Sequence, residues 1–163
     1  MNARTVFTLL LVFLIATLAA TTERASPLAF VSSASGEGSF LFNQEEFAFS
    51  FTATATSSSS TSGKGTAQFD NLTAQTSVTV KLNCVKIAGA EAVMSGKVVE
   101  TTDSDFPKNS NVVFGLIDGA LSPIPFFVDR ITPLFVRNPG INCNDGLPLP
   151  QLIPEEGGVV IAP

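Results

Sequence analysis

Hydrophobic and polar residues alternate along most of the chain after residue 37. In the clearest run, residues 46–56, Phe47, Phe49 and Phe51 share one face while serine and threonine line most of the other. A period of two is typical of a β-strand with one buried face. The same pattern predicts further strands at 38–43, 64–70, 77–87, 92–100, 111–118 and 129–136, the last interrupted by Pro133.

These elements predict an all-β fold, a single small antiparallel β-barrel or β-sandwich of about seven strands. Consecutive hairpins without a long crossover favour the barrel, although the pattern does not separate the two. Four segments follow from the same pass: a signal peptide at 1–20, a flexible lead-in at 21–36, the all-β domain at 37–146 and a Pro- and Gly-rich tail at 147–163. The tail is expected to fray.

The first segment predicts export. One positive charge, Arg4, precedes an uncharged and mostly apolar run from Thr5 to Ala20, and small residues of the kind that signal peptidase accepts close that run. The run is short for the ~20 residues that span a bilayer. We therefore expect cleavage, a secreted product and no membrane span in the mature form.

Composition restricts the available chemistry. The chain contains no His, Tyr or Trp. Without an imidazole, catalysis by Ser-His-Asp or Cys-His arrangements is excluded, and the commonest ligand of zinc and copper is missing. A net charge of −5 without a Lys/Arg cluster is not the electrostatic pattern of a nucleic-acid-binding protein. We predict no cofactor and no nucleic-acid partner.

Export also determines how two cysteines and one sequon are interpreted. Cys84 and Cys143 predict one structural disulfide, because an isolated pair in an oxidising compartment most simply forms a cross-link. Alternation places Cys84 on the core face of its strand, beside Val80 and Leu82. Asn71, in an Asn-Leu-Thr sequon at a predicted turn, is a candidate for N-glycosylation.

Acidic residues supply only weak candidates for a metal or catalytic site. Asp103 and Asp105 could offer oxygens to one Ca²⁺, but an Asx turn explains the same spacing, and we predict no metal site. Glu45 and Glu46 cannot jointly flank one glycosidic bond, because adjacent strand residues point to opposite faces. They predict a solvated hairpin turn.

The candidate ligand-binding residues lie between positions 126 and 130. Asp129 and Arg130 open a predicted strand beside an apolar loop, where the arginine could form a structural ion pair or bind a ligand carboxylate. Phe126 and Phe127 belong either to the core or to an exposed apolar patch at a binding mouth. Both alternatives are open for each pair.

A set of short motifs runs through the predicted domain: GEGSF at 36–40, VKLNCV at 80–85, AVMSGKV at 92–98, DFP at 105–107 with VVF at 112–114, DRIT at 129–132 and CND at 143–145. In these motifs the chain, over residues 36–146, resembles a family of small secreted β proteins that are largely uncharacterised. The resemblance implies a secreted β fold and carries over no activity.

The functional expectation is a secreted, non-enzymatic β module that binds an unidentified ligand or extracellular protein, or an extracellular structural protein. The alternative is a cofactor-free β-barrel isomerase or cyclase acting on a small apolar substrate. A cavity above ~300 Å³ that contains polar groups would favour ligand binding or the enzyme. A filled interior with an exposed apolar face would favour a partner-binding module.

Overall fold

The computed structural model describes residues 32–56, 62–122, 128–136, 143 and 150–162. The predicted signal peptide, most of the lead-in, and Phe126 and Phe127 lie outside these residues. The described strands are β1 Ser33–Phe42, β2 Glu45–Ala55, β3 Gly63–Asn71, β4 Thr76–Ala88, β5 Glu91–Thr101, β6 Asn111–Ile117, β7 Arg130–Ile131, β8 Phe135–Val136 and β9 Glu156–Ala162. The described residues contain no helix that is long and apolar enough to cross a membrane.

All these strands belong to one antiparallel sheet that is nearly closed into a barrel. The strand order is β7-β6-β5-β4-β3-β2-β1-β9, and β8 pairs with β6 beside β7. Neighbouring strands from β1 to β6 are therefore consecutive hairpins, as the turn signals predicted. The all-β prediction is confirmed, and of the two predicted architectures the sheet is nearly closed into the barrel.

Phenylalanine side chains fill the middle of the barrel. The register pairs Phe51 with Ala67 and Phe49 with Phe69, so their side chains share the inner face. Phe114 of β6 reaches them from across the barrel, with its ring edge-on to Phe51 at 5.8 Å and to Phe69 at 5.0 Å between centroids. All five side chains are at least nine-tenths buried. The alternation therefore identified the core face of β2 correctly.

Strand β6 is buried on both faces, which suits its nearly continuous apolar sequence. Val112 and Phe114 belong to the barrel core, whereas Val113 lies on the outer face and pairs with Phe135 of β8. Thr132, fully buried, accepts a hydrogen bond from the Gly115 N–H at 2.9 Å. The 130–136 segment thus pairs along the edge of β6 opposite β5, with its two short strands separated at Pro133 as expected.

The prediction of a fraying tail is wrong for the last strand. Residues Glu156–Ala162 form β9, which pairs antiparallel with β1 over its whole length. Gly157 permits this pairing, because its φ is +79° and an added Cβ would lie 1.9 Å from the Glu37 carbonyl oxygen. Strand β1 itself begins at Ser33, inside the predicted lead-in. The sheet therefore extends beyond both ends of the predicted 37–146 domain.

Two aspartates close the seam between the last strand and the β6–β7 region. The Ile161 N–H donates to Asp118 Oδ2 and the Val159 N–H donates to Asp129 Oδ2, each at 2.9 Å. The remaining carboxylate oxygens accept from backbone as well: Asp118 Oδ1 from Ala120 N and Asp129 Oδ1 from Gly119 N. These carboxylates thus accept hydrogen bonds from backbone N–H groups that, in a continuous sheet, would donate to the carbonyl oxygens of a neighbouring strand.

The Cys84–Cys143 disulfide is present, but Cys84 does not point into the barrel core. Pairing between β4 and β5 shifts by one residue between Leu82 and Cys84, which is a β-bulge. After the bulge Cys84 pairs with Ser95 on the outer face, and the buried Cys143 packs there against Ser95, with its sulfur 3.8 Å from the serine oxygen. The predicted orientation of Cys84 is therefore wrong, because the bulge exchanges the two faces.

Candidate functional site

A pocket of about 350 Å³ opens at one end of the barrel. This end is formed by the β1–β2 turn, the β3–β4 turn, the β5–β6 loop and the segment before β8. We call it the mouth pocket. Its lining residues are mostly apolar, with a few polar groups: Phe40, Phe42, Asn43, Glu45, Phe47, Phe69, Asn71, Thr76, Val78, Asp103, Asp105, Phe106, Pro133, Leu134 and Val136.

Strand register builds the wall of the mouth pocket. Phe40 pairs with Phe47, Phe47 with Asn71, and Asn71 with Thr76, so four neighbouring strands present one row of side chains on the inner face. The rings of Phe40 and Phe47 are stacked, with 5.5 Å between centroids. Phe42 lies one step nearer the rim, paired with Glu45. This row of side chains lies between the filled core and the open end of the barrel, where it lines a cavity.

The β5–β6 loop supplies the opposite side of the pocket. Asp103 Oδ1 accepts from the Asp105 N–H at 2.9 Å, and Oδ2 accepts from the Thr76 hydroxyl at 3.1 Å. The first bond is an Asx turn, and it places Phe106 at the pocket, half-buried against the core cluster. Asp103 therefore holds the loop in place, in agreement with the Asx-turn alternative for this pair.

Asn71 is part of the pocket wall and is only 8% exposed. Its Nδ2 donates to Glu45 Oε2 at 2.8 Å, and its Oδ1 accepts from the Ala74 N–H at 2.8 Å. Nδ2 is the atom that an N-linked glycan would occupy. Because this side chain is buried in the pocket wall, the folded chain leaves little room for a glycan there, and glycosylation of Asn71 stays a prediction that this geometry disfavours.

The charges at the mouth pocket all have one sign. Glu45 and Asp105 lie at its rim with Asp103 beside them, and no Lys or Arg is among the described residues that line it. The described residues also contain no group of three His, Cys, Asp or Glu side chains that could hold a metal ion. The pocket therefore combines phenylalanine walls with a negative rim.

A second depression, larger and more open at about 880 Å³, follows the outer face of the sheet from β9 to β4. Alternation puts hydroxyl and amide side chains on this face, among them Ser50, Thr52, Thr66 and Gln68. Because the depression is open and lacks an enclosing wall, the mouth pocket is the better candidate for binding a small molecule.

Asp129 and Arg130, two of the four predicted ligand-binding residues, do not line the mouth pocket. Both oxygens of Asp129 accept backbone N–H groups at the seam, and Arg130 is half-buried in β7, where it pairs with Ile117. A ligand-binding role for these two residues stays a prediction. Phe126 and Phe127 fall outside the described residues.

The residues that form the mouth pocket were not identified as a site from the sequence. The polar run around Glu45 predicts a solvated turn. Glu45 also lies two residues before Phe47 and four before Phe49, in phase with these rings. The same alternation that places those rings inside places Glu45 on the inner face, at the rim. That signal was available in the sequence. The contribution of Phe106 was not, because it depends on how a long loop folds back.

The chain matches no protein-family model, no curated protein and no solved structure. The resemblance over residues 36–146 therefore stays a prediction. What the mouth pocket can do has to be argued from its own residues.

Proposed function

We propose that the chain is a secreted, non-enzymatic binding protein that holds a small, largely apolar ligand in the mouth pocket. The supporting observation is the state of three phenylalanines, Phe42, Phe47 and Phe106, which remain half-buried in a concave site. Apolar surface left accessible inside a pocket gains free energy when a ligand covers it. The volume of about 350 Å³ suits a small molecule.

The filled barrel centre supports the same proposal. Phe49, Phe51 and Phe114 are nearly inaccessible, so a ligand cannot pass deeper than the row of Phe40 and Phe47. Such a rigid floor favours a preformed site over one that opens on binding. The isomerase or cyclase alternative stays a prediction, since no contact among the described residues favours it over binding.

A titration followed by amide NMR tests the proposal on the mature, disulfide-bonded chain. The probe is 4-tert-butylphenol, an apolar molecule of suitable size. We expect saturable shifts at Phe42, Phe47 and Phe106 and none at the outer-face residues Thr52 and Thr66. Shifts spread over the whole surface, or no saturation, would contradict the proposal.

Two neighbouring residues of β1 provide a matched pair of variants. Phe42→Ala removes a ring that lines the pocket, whereas Leu41→Ala removes an exposed side chain from the outer face of the same strand. We expect Phe42→Ala to weaken binding about tenfold, the effect of losing ~1.4 kcal/mol of apolar contact. Leu41→Ala should leave the affinity unchanged. Equal effects of the two variants would place the ligand elsewhere.

A further inference from the structure

We infer that the ligand of the mouth pocket is an organic ammonium ion, an inference that rests on the proposed binding function. The geometry combines two features that recognise such a cation. Phenylalanine rings line the cavity, and the carboxylates of Glu45, Asp103 and Asp105 are among its lining groups. The carboxylates select the sign of the ligand charge, and the rings select an organic group.

The aromatic part of the pocket consists of rings that carry no polar tip. Every aromatic residue of the chain is phenylalanine. Phe40 and Phe47 stack at 5.5 Å, and the half-buried Phe42 and Phe106 border the same cavity. The negative face of an aromatic ring attracts a cation within ~6 Å of its centre, and alkylated ammonium groups are commonly bound by several such rings.

The carboxylates differ in how much hydrogen-bonding capacity they retain. Both oxygens of Asp103 are occupied, by Asp105 N and the Thr76 hydroxyl. By contrast, the Asp105 carboxylate and Glu45 Oε1 have no hydrogen-bond partner within the part of the chain that the structure describes. These two groups can therefore face a ligand charge without giving up an internal bond.

Other ligand classes fit this chemistry less well. An anion would meet only negative charges at the rim, without a described Lys or Arg to offset them. A divalent metal ion needs several oxygen ligands converging on one point, which the described residues do not supply. A neutral apolar molecule would gain the ring contacts but nothing from Glu45 and Asp105. The ammonium ion alone uses both parts of the pocket.

A pair of molecules with the same shape isolates the charge: (4-hydroxyphenyl)trimethylammonium and its neutral isostere 4-tert-butylphenol. We measure both affinities for the mature chain by NMR titration at low ionic strength. We expect the cation to bind about tenfold more tightly. Added NaCl should reduce this ratio, because screening weakens the attraction of the exposed carboxylates.

Charge-neutralising variants assign the effect to the rim. Glu45→Gln retains an acceptor for Asn71, and Asp105→Asn alters an exposed side chain, so both should fold. Each should lower the cation-to-neutral affinity ratio about threefold, in line with an exposed charge contact. Glu91→Gln, which removes the same charge at the opposite end of the barrel, serves as the control and should leave the ratio unchanged.

The outcomes separate this inference from the proposed function. If 4-tert-butylphenol binds in the mouth pocket as tightly as the cation, or if Glu91→Gln lowers the ratio as much as Glu45→Gln, the ammonium inference is wrong and the binding function stands. If neither molecule shifts the pocket resonances, the proposed function itself is wrong. Tighter binding of the cation, lost in the rim variants, supports both.

Discussion

The aspartate seam predicts a large loss of stability when Asp118 is changed to alanine. Asp118 is 4% exposed and accepts from two backbone N–H groups, those of Ile161 and Ala120, each at 2.9 Å. The bond to Ile161 is buried, whereas that to Ala120 is partly solvent-accessible. Alanine would leave the first donor without a partner at a cost of ~2 kcal/mol and the second at ~1 kcal/mol.

The expected sum of about 3 kcal/mol is a substantial part of the 5–15 kcal/mol that stabilises a typical domain. Urea unfolding should therefore show a midpoint lower by roughly 1–2 M with an unchanged slope. Hydrogen exchange should show the Ile161 and Val159 amides losing protection before the amides of β3 and β4, because the opening starts at the seam.

A matched control separates the seam from a general effect of lost charge. Asp70→Asn alters an aspartate of β3 whose side chain accepts only from the exposed Gln68 amide, and it should change the unfolding free energy by less than ~0.5 kcal/mol. Asp118→Ala and Asp129→Ala should be less than additive when combined, since each opens the same seam. A midpoint for Asp118→Ala equal to that of Asp70→Asn would refute this account of closure.

Three further predictions concern other parts of the fold. Gly157→Ala should detach β9 from β1, because the new Cβ would lie 1.9 Å from the Glu37 carbonyl oxygen and because Gly157 has a positive φ. Loss of amide protection at Ile161 would show the detachment, and an unchanged exchange pattern would contradict it. Replacing both Cys84 and Cys143 with alanine should lower the free energy of unfolding, measured by urea denaturation, by ~4 kcal/mol, because the cross-link joins residues 59 positions apart. A loss below ~1 kcal/mol would show that the cross-link adds little stability. Mass spectrometry of protein secreted from a glycosylating host should find Asn71 unmodified, because its side chain is only 8% exposed and a glycan attached before folding would have to fit into the pocket wall. A glycan at full occupancy would contradict the described packing.

Sequence alternation predicted which face of β2 is buried, but not how deep in the barrel each side chain lies. Phe47 and Phe51 lie on the same face of β2, yet Phe51 is 4% exposed and Phe47 borders a pocket. The difference arises because Phe114 reaches Phe51 from across the barrel, while among the described residues the ring that contacts Phe47 is that of its neighbour Phe40. Contacts across the barrel depend on long-range closure, which a period of two does not encode.

Two local features also changed the outcome. A single extra residue between Leu82 and Cys84 turned the cysteine outward. The apolar positions of β4 change phase at this bulge, from Val80 and Leu82 before it to Val85 and Ile87 after it, so the sequence carries a signal for it. Gly96 of β5 pairs with Leu82 next to the bulge, and an added Cβ there would lie 2.2 Å from the Lys81 carbonyl oxygen. A glycine within a strand is typical of a bulge or a close backbone approach, but it does not indicate which strand carries the extra residue.

The distribution of side-chain size along the barrel explains why a pocket forms at one end. Towards the β2–β3 connection the inner face carries small residues, including Ala53, Ala55 and Gly65, so the strands can pack closely there. Towards the mouth it carries phenylalanines, which hold the walls apart, and the barrel ends before opposing side chains can fill the space. Half-buried rings at such a rim gain only part of the free energy of full burial. Phe42 and Phe106 pack against the core cluster on one side and border the mouth pocket on the other, and the second side is the surface that the proposed ligand would cover.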